Sequence, residues 1–186
     1  LGNSPPPTLK KMYWREAPHD GFRVRGKSYV LDGVKCASAE SVFKLVAVDM
    51  YEVPKPMNHI ASHPKNRMFQ SIVREEGLSF VFIAHIMVPG PPFLSFVAYF
   101  VGNKEDLVAD TPFGRVAKPF FFGSDDEYRN SRFKLIPKII DGNMIVKMAV
   151  KDTPAIIGNK LKNSYFRGEN YFELDVDVGS SSVARN

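Results

Sequence analysis

The chain carries a single cysteine, Cys36. One thiol excludes an intrachain disulfide and any zinc site built on paired cysteines, and it is compatible with a reducing compartment. No recognisable helper stands near Cys36 to make it a nucleophile. The chain also lacks a G-x-S-x-G elbow, a phosphate-loop glycine pattern and any internal repeat. No signal-peptide pattern opens it; it starts on Leu1 without Met and reads as a processed or excised piece of something longer. A clean membrane-length apolar run is missing too. Residues 78–101, LSFVFIAHIMVPGPPFLSFVAYFV, exceed the roughly 20 residues of a span. Yet His85 and Pro89-Gly90-Pro91-Pro92 interrupt them, so two buried strands joined by a turn are the better reading.

What is present is apolar and aromatic. Hydrophobic residues make up 44% of 186, with 15 Phe, which suits one folded domain with a sizeable core. The net charge of +5 is unevenly placed. Up to Lys35 there are seven Lys/Arg against three Asp/Glu, while the remainder is nearly balanced. The basic excess therefore belongs to the N-terminal segment, where a phosphate-bearing surface could be met.

Residues 1–12 include Pro5, Pro6 and Pro7 and read as an extended arm, leaving 13–186 as one domain. Residues 22–30, FRVRGKSYV, read as a strand with Arg23, Arg25 and Lys27 on one face, before an Asp32-Gly33 turn. Residues 42–53 are apolar on both faces in their middle, as in a central strand, though a helix capped by Ser38 or Ser41 could also claim their start. A helix is predicted from Pro64 to Glu76, with Gly77 as its stop. Thr111-Pro112 marks a short helix start, and Ser124 with Glu127 has capping-box spacing. Asp141-Gly142-Asn143 predicts a hairpin between 132–140 and 144–151, and Thr153-Pro154 predicts a short helix burying Ala155, Ile156, Ile157 and Leu161. The last strand spans 171–178. The sum is an α+β fold: a mostly antiparallel, curved sheet of roughly seven strands with a few short helices.

The candidate chemistry is thin. Glu173, Asp175 and Asp177 alternate with Phe172, Leu174, Val176 and Val178. A straight strand spreads alternate side chains about 6–7 Å apart, which suits a solvated face better than a converged ion site. If the acidic row lies beside the cationic one, Arg25 could pair with Asp175; otherwise the cations are free to meet a phosphate. His59 and His63 have the spacing of a zinc helix but lack the glutamate base, and Pro64 puts a helix start between them. His85, inside an apolar strand, reads as a hydrogen-bonded core histidine. Ser180, Ser181 and Ser182 read as caps. No metal, cofactor or catalytic set is assigned. The aromatics sit in apolar strands, not interleaved with Lys and Arg, so nucleic acid is set aside as a partner.

Several blocks, in order, resemble the plant enhanced disease resistance 2 C-terminal domain: FRVRGKSY at 22–29, LVAVD at 45–49, HIASHP at 59–64, YRNSRFKLIP at 128–137, then Gly158 and a closing ELDVDVGSSSVAR. The likeness runs from Trp14 to Arg185. It implies a eukaryotic, intracellular, noncatalytic module, often found after a START lipid-binding domain and sometimes with a phosphoinositide-reading PH domain. It also implies that this chain stops before the family's last apolar segment. The expectation is a lipid- or membrane-associated binding module. Arg23, Arg25 and Lys27 would hold a headgroup or other anion, and an apolar cavity would be lined by Phe and Met. The alternative is a structural subunit of a larger assembly, its apolar edge covered by protein partners.

Overall fold

The computed structural model describes residues 14–74, 79–135, 155–156, 158 and 160–180. The chain starts with a ribbon, β1 (Arg23–Arg25), a one-turn helix α1 (Tyr29–Asp32) and β2 (Lys35–Ala37). β3 (Lys44–Val53) leads through a 3₁₀ turn at Ile60–Ser62 into α2 (Arg67–Ile72). β4 (Phe80–Val88) and β5 (Phe93–Gly102) follow, then α3 (Lys104–Val108), α4 (Pro112–Phe122) and α5 (Asp126–Asn130). The final strands are β6 (Lys134–Leu135), β7 (Ala155–Ile156), β8 (Lys162–Arg167) and β9 (Tyr171–Asp177).

The α+β class is as read from the sequence, but the sheet is not one mostly antiparallel array. A five-stranded sheet runs in the order β3-β5-β4-β9-β8, and two separate two-stranded ribbons pair β1 with β2 and β6 with β7. The sheet is mixed because β9 enters beside β4 in the parallel sense, His85 opposite Asp175. β4 and β5 form the antiparallel pair foreseen around the proline turn. β3 is an edge strand, not a central one; Glu16 covers its start by accepting the Leu45 N–H at 3.2 Å.

Alternation along the strands gives the sheet two faces, and both are covered. On one, Tyr51, Val53, Ile83, Val97 and Tyr99 pack under the 3₁₀ turn and α2. On the other, Phe80, Phe172, Leu174 and Val176 pack under α4 with Phe120 and Phe121. Phe121 meets Phe172 edge-on at 5.3 Å and Phe120 at 5.1 Å, geometry worth about 0.5–1.5 kcal/mol per pair beyond burial.

Local signals fared unevenly. Thr111 caps α4 through the Gly114 N–H at 3.0 Å, with Pro112 in the first turn, as predicted. α2 begins later than Pro64, because the Asn66 side chain is the cap and accepts the Phe69 N–H at 3.0 Å. Asp125, not Ser124, caps α5 by accepting the Tyr128 N–H at 3.0 Å. Ala155 and Ile156 belong to a strand pairing with Leu135 and Lys134, not to a helix. The arm 1–12, the Asp141-Gly142-Asn143 turn, the end of the helix predicted to Glu76, and Ser181 and Ser182 lie outside the described residues.

Candidate functional site

The predicted cationic residues sit on the β1–β2 ribbon, away from the acidic strand; Arg25 and Asp175 are not neighbours. The strand predicted for 22–30 stops at Arg25. There the chain folds over: Gly26 N–H bonds Val34 C=O at 3.0 Å, and α1 makes the tip. Gly33 closes that turn at φ 66°, a left-handed conformation that glycine adopts at no steric cost, donating to Tyr29 C=O. The Asp32 carboxylate accepts the Ser28 hydroxyl at 2.6 Å and the Val34 N–H at 2.8 Å, and these bonds hold its pKa below the usual value.

Register places Arg25 directly opposite Lys35, a like-charge pair on one ribbon face with Arg23 two residues along. Arg23 donates to the Lys35 carbonyl at 2.5 Å, and the Arg25 guanidinium lies 4.7 Å from the Tyr29 ring centre. Lys27 lies beyond the strand end and does not continue the row. Among the described residues none of these four cations is in an ion pair with a carboxylate. Two residues that the sequence reading passed over stand at the tip: Val30 is 93% and Leu31 92% exposed. The signal available was an adjacent apolar pair just ahead of a turn in a basic segment.

The acidic strand is not a wet face. Glu173 and Asp175 are fully buried, and Asp177 is half-buried. Alternation was read correctly, but the polar set points at a second covering layer instead of solvent. That layer is the HIASHP segment. His59 N–H donates to Asp175 Oδ2 at 2.8 Å, Ile60 N–H to Glu173 Oε1 at 2.6 Å, and Ala61 N–H to Glu173 Oε2 at 2.8 Å. Successive N–H groups converging on carboxyl oxygens form a backbone nest. Making it puts His59 at φ 60°, ψ 58°, a strained conformation for a non-glycine residue costing about 1–3 kcal/mol. The ring holds that geometry by stacking on Phe166 at 4.3 Å and bonding Tyr171 Oη through Nε2 at 2.8 Å.

His85, also fully buried, is the core histidine expected. Its Nδ1 lies 3.2 Å from Asp175 Oδ1 and its Nε2 lies 2.7 Å from Ser95 Oγ. Burial pushes its pKa down to about 4, so the ring is neutral. The tautomer that fits donates from Nδ1 to Asp175 and accepts the Ser95 hydroxyl proton at Nε2. Burial raises both carboxyls above their ordinary range, and the neighbouring Asp175 charge raises Glu173 further. A proton on Glu173, shared toward Asp175, satisfies both. Beyond them the Tyr99 hydroxyl lies 3.1 Å from Asp49 Oδ2 and 3.2 Å from Asn66 Oδ1, and Asn66 Nδ2 donates to Ile60 C=O at 3.1 Å.

Ser95, His85 and Asp175 have the order of a nucleophile, base and orienting acid, but the serine hydroxyl is sealed at 0% exposure. Donor atoms of His85, Glu173 and Asp175 also lie within 4.8 Å of one another, close enough to hold a metal. Each donor already has a partner, so a cation would have to displace the nest's N–H bonds and the Ser95 contact. The arrangement works as a hydrogen-bonded clamp between β9, β4 and the covering segment. His59 and His63 share no helical face; His63 Nδ1 accepts the Lys65 N–H at 3.2 Å. Ser180, in the 3₁₀ turn after β9, ties that turn to β8 by accepting the Lys162 N–H at 2.7 Å.

The fold and these sites define a small α+β module, clamped internally by buried acids and exposing a basic, apolar-tipped hairpin. It belongs to the family described as Protein ENHANCED DISEASE RESISTANCE 2, C-terminal, which matches residues 14–186. A curated Arabidopsis thaliana protein, Protein ENHANCED DISEASE RESISTANCE 2-like, is 39% identical over 171 residues. The match covers 92% of this chain and 22% of that relative, so the chain spans about a fifth of the relative's length. A plant relative accords with a eukaryotic origin. No solved structure matches. No described helix is long and apolar enough to cross a membrane.

Proposed function

We propose that this chain is a noncatalytic module that binds anionic membrane surfaces through the β1–β2 hairpin. The observation that carries the reading is Arg25 facing Lys35 across a ribbon whose strand residues are all exposed, without an ion-paired carboxylate among the described residues. Like charges directly opposite cost about 0.2–1 kcal/mol in a free ribbon. An anionic headgroup reverses that sign, each Lys or Arg near an anionic leaflet contributing about 1 kcal/mol.

The geometry favours a surface reader over a lipid-enclosing cavity. The apolar cleft between Val53, Met87, Phe93 and Asp177 measures about 210 Å³, under the roughly 300–1,000 Å³ of pockets that enclose drug-sized ligands, and a larger one of about 360 Å³ is an open surface hollow lined by Glu16, His19, Glu40 and Lys44 among others, not an apolar enclosure. The apolar side chains on both faces of the five-stranded sheet pack into two buried clusters.

Co-sedimentation with phosphatidylserine-containing vesicles tests the proposal. Binding should weaken as salt rises and fall in Arg23→Ser/Arg25→Ser. Unchanged binding in that variant removes the headgroup role. The two packed clusters also suit the second reading, a structural subunit of an assembly. Native mass spectrometry showing a stoichiometric protein partner, with no vesicle binding, would favour it.

A further inference from the structure

We infer that Val30 and Leu31 form a wedge that enters the acyl region of an anionic bilayer while Arg23, Arg25, Lys27 and Lys35 hold its phosphates. The inference rests on the membrane reading above and adds what that reading leaves open: an anchor that distinguishes a bilayer from any soluble polyanion.

The hairpin tip is built to present these two side chains. α1 is a single turn, locked by Asp32 to Ser28 and Val34 and closed by Gly33, so Val30 and Leu31 are held outward by a fixed backbone. They are 93% and 92% exposed, and Val34 beside them is 56% exposed. The sheet's two faces bury their own apolar residues elsewhere, and the tip residues belong to neither cluster. Leaving a Val and a Leu in water forgoes the favourable transfer of their apolar surface out of water.

What would cover the tip follows from its surroundings. Between residues 22 and 38 the only carboxylate is Asp32, against Arg23, Arg25, Lys27 and Lys35. A partner must therefore be apolar at the tip and anionic around it. An anionic bilayer has this layered order, acyl chains beneath a plane of phosphates. A rigid turn of 4 residues is too small to displace much lipid and suits shallow insertion, just past the headgroups into the upper acyl region. Tyr29, under the Arg25 guanidinium, would then lie at the interface, where aromatic rings collect.

The test uses the full chain and three preparations: wild type, Val30→Ser/Leu31→Ser, and Leu31→Trp. The tip makes no core contact, so all three should share one unfolding midpoint. With vesicles of phosphatidylserine and phosphatidylcholine, the serine variant should bind at least tenfold more weakly. Its retention on inositol hexakisphosphate, a soluble polyanion, should match wild type. The Leu31→Trp emission, taken as the difference from wild type with its Trp14, should shift to the blue on vesicle addition. It should also be quenched by brominated acyl chains. Vesicle binding with no blue shift and no loss in the serine variant overturns the wedge and leaves the surface-binding reading standing. No binding of wild type to any vesicle overturns both. A wild-type dimer that the serine variant converts to monomer also overturns the wedge, assigning the tip to a second copy of the chain.

Discussion

The backbone N–H of His59 donates to the Asp175 carboxylate at 2.8 Å, joining positions 116 residues apart. Two residues upstream on β9, Glu173 accepts from Ile60 and Ala61. The loop covering one sheet face is therefore held by buried acids as well as by the apolar packing of Ile60 and Ala61. Replacing Glu173 with Ala leaves two buried N–H groups without acceptors, at about 1–3 kcal/mol each. Some of that is returned because a desolvated acid is gone. The expected result is a loss of about 2–4 kcal/mol in urea unfolding. Amide hydrogen exchange should accelerate most at residues 59–61. An unchanged midpoint would contradict the clamp.

The same groups set a pH dependence. Glu173, pushed up to about 8 by burial and by Asp175, keeps its proton in the folded state at pH values where the unfolded chain, near 4.5, has lost it. Its folded pKa is raised, so this stability is full at low pH and declines as pH rises from about 4.5 through about 8. Asp175 acts in the same sense. His85, lowered to about 4, acts oppositely: unfolded imidazole takes a proton below about 6.5 and the folded one does not. Acidification from 6.5 towards 4 therefore destabilises through His85. Above 6.5 only the carboxyls contribute, so wild-type urea midpoints should fall between pH 6.5 and 8. Glu173→Gln, though less stable throughout because its amide cannot accept both N–H groups, should show a flatter profile in that window.

These residues also show where sequence reading stops. The pattern at 172–178 announces two sets of side chains on opposite faces, and that much was right. It does not say which set meets water, because both faces of β9 are covered by segments distant in sequence. Two clues were local: His85 needed a polar partner inside an apolar strand, and HIASHP offered unpaired N–H groups ahead of a helix. β4, β5 and their proline turn were readable because hairpin pairing is sequence-adjacent. The parallel placement of β9 against β4 was not, since its partners are about 90 residues apart, as in His85 and Asp175. β3 looked central because Ala47 and Val48, on opposite faces of the strand, are both buried. Lys35 and the Val30–Leu31 tip escaped notice because the reading carried one strand through Gly26, where the chain turns.

Arg129 is a charged residue that the fold depends on. It is buried, donates from Nε to Phe120 C=O at 2.7 Å, bonds Gly123 C=O and the Asp126 carboxylate, and lies 5.3 Å from the Tyr165 and Phe172 ring centres. It thus satisfies carbonyls at the end of α4 and fastens that helix to β8 and β9. Lysine lacks the planar fork that reaches these acceptors together. Arg129→Lys should therefore cost about 2 kcal/mol or more, at about 1.5–3 kcal/mol for each charge-assisted bond lost. The midpoint of urea unfolding measures this, and a loss below about 0.5 kcal/mol, the range of ordinary surface changes, would count against it.

Stability and binding should separate at the ribbon. Arg25 and Lys35 oppose each other on an exposed surface, so removing one charge relieves repulsion in the free protein. Lys35→Ser should leave the unfolding free energy unchanged or raise it by up to about 1 kcal/mol, the range for directly opposed like charges. The same change should weaken association with phosphatidylserine vesicles several-fold at low salt, by about 1 kcal/mol per cation removed. The difference from wild type should shrink as salt rises and screening shortens the reach of the remaining charges. Lys162→Ser, on β8 outside the ribbon, supplies the control: it removes one exposed cation but should leave vesicle binding close to wild type. Equal losses in both variants would mean that net charge alone, and not the paired cations of the hairpin, draws this protein to an anionic surface.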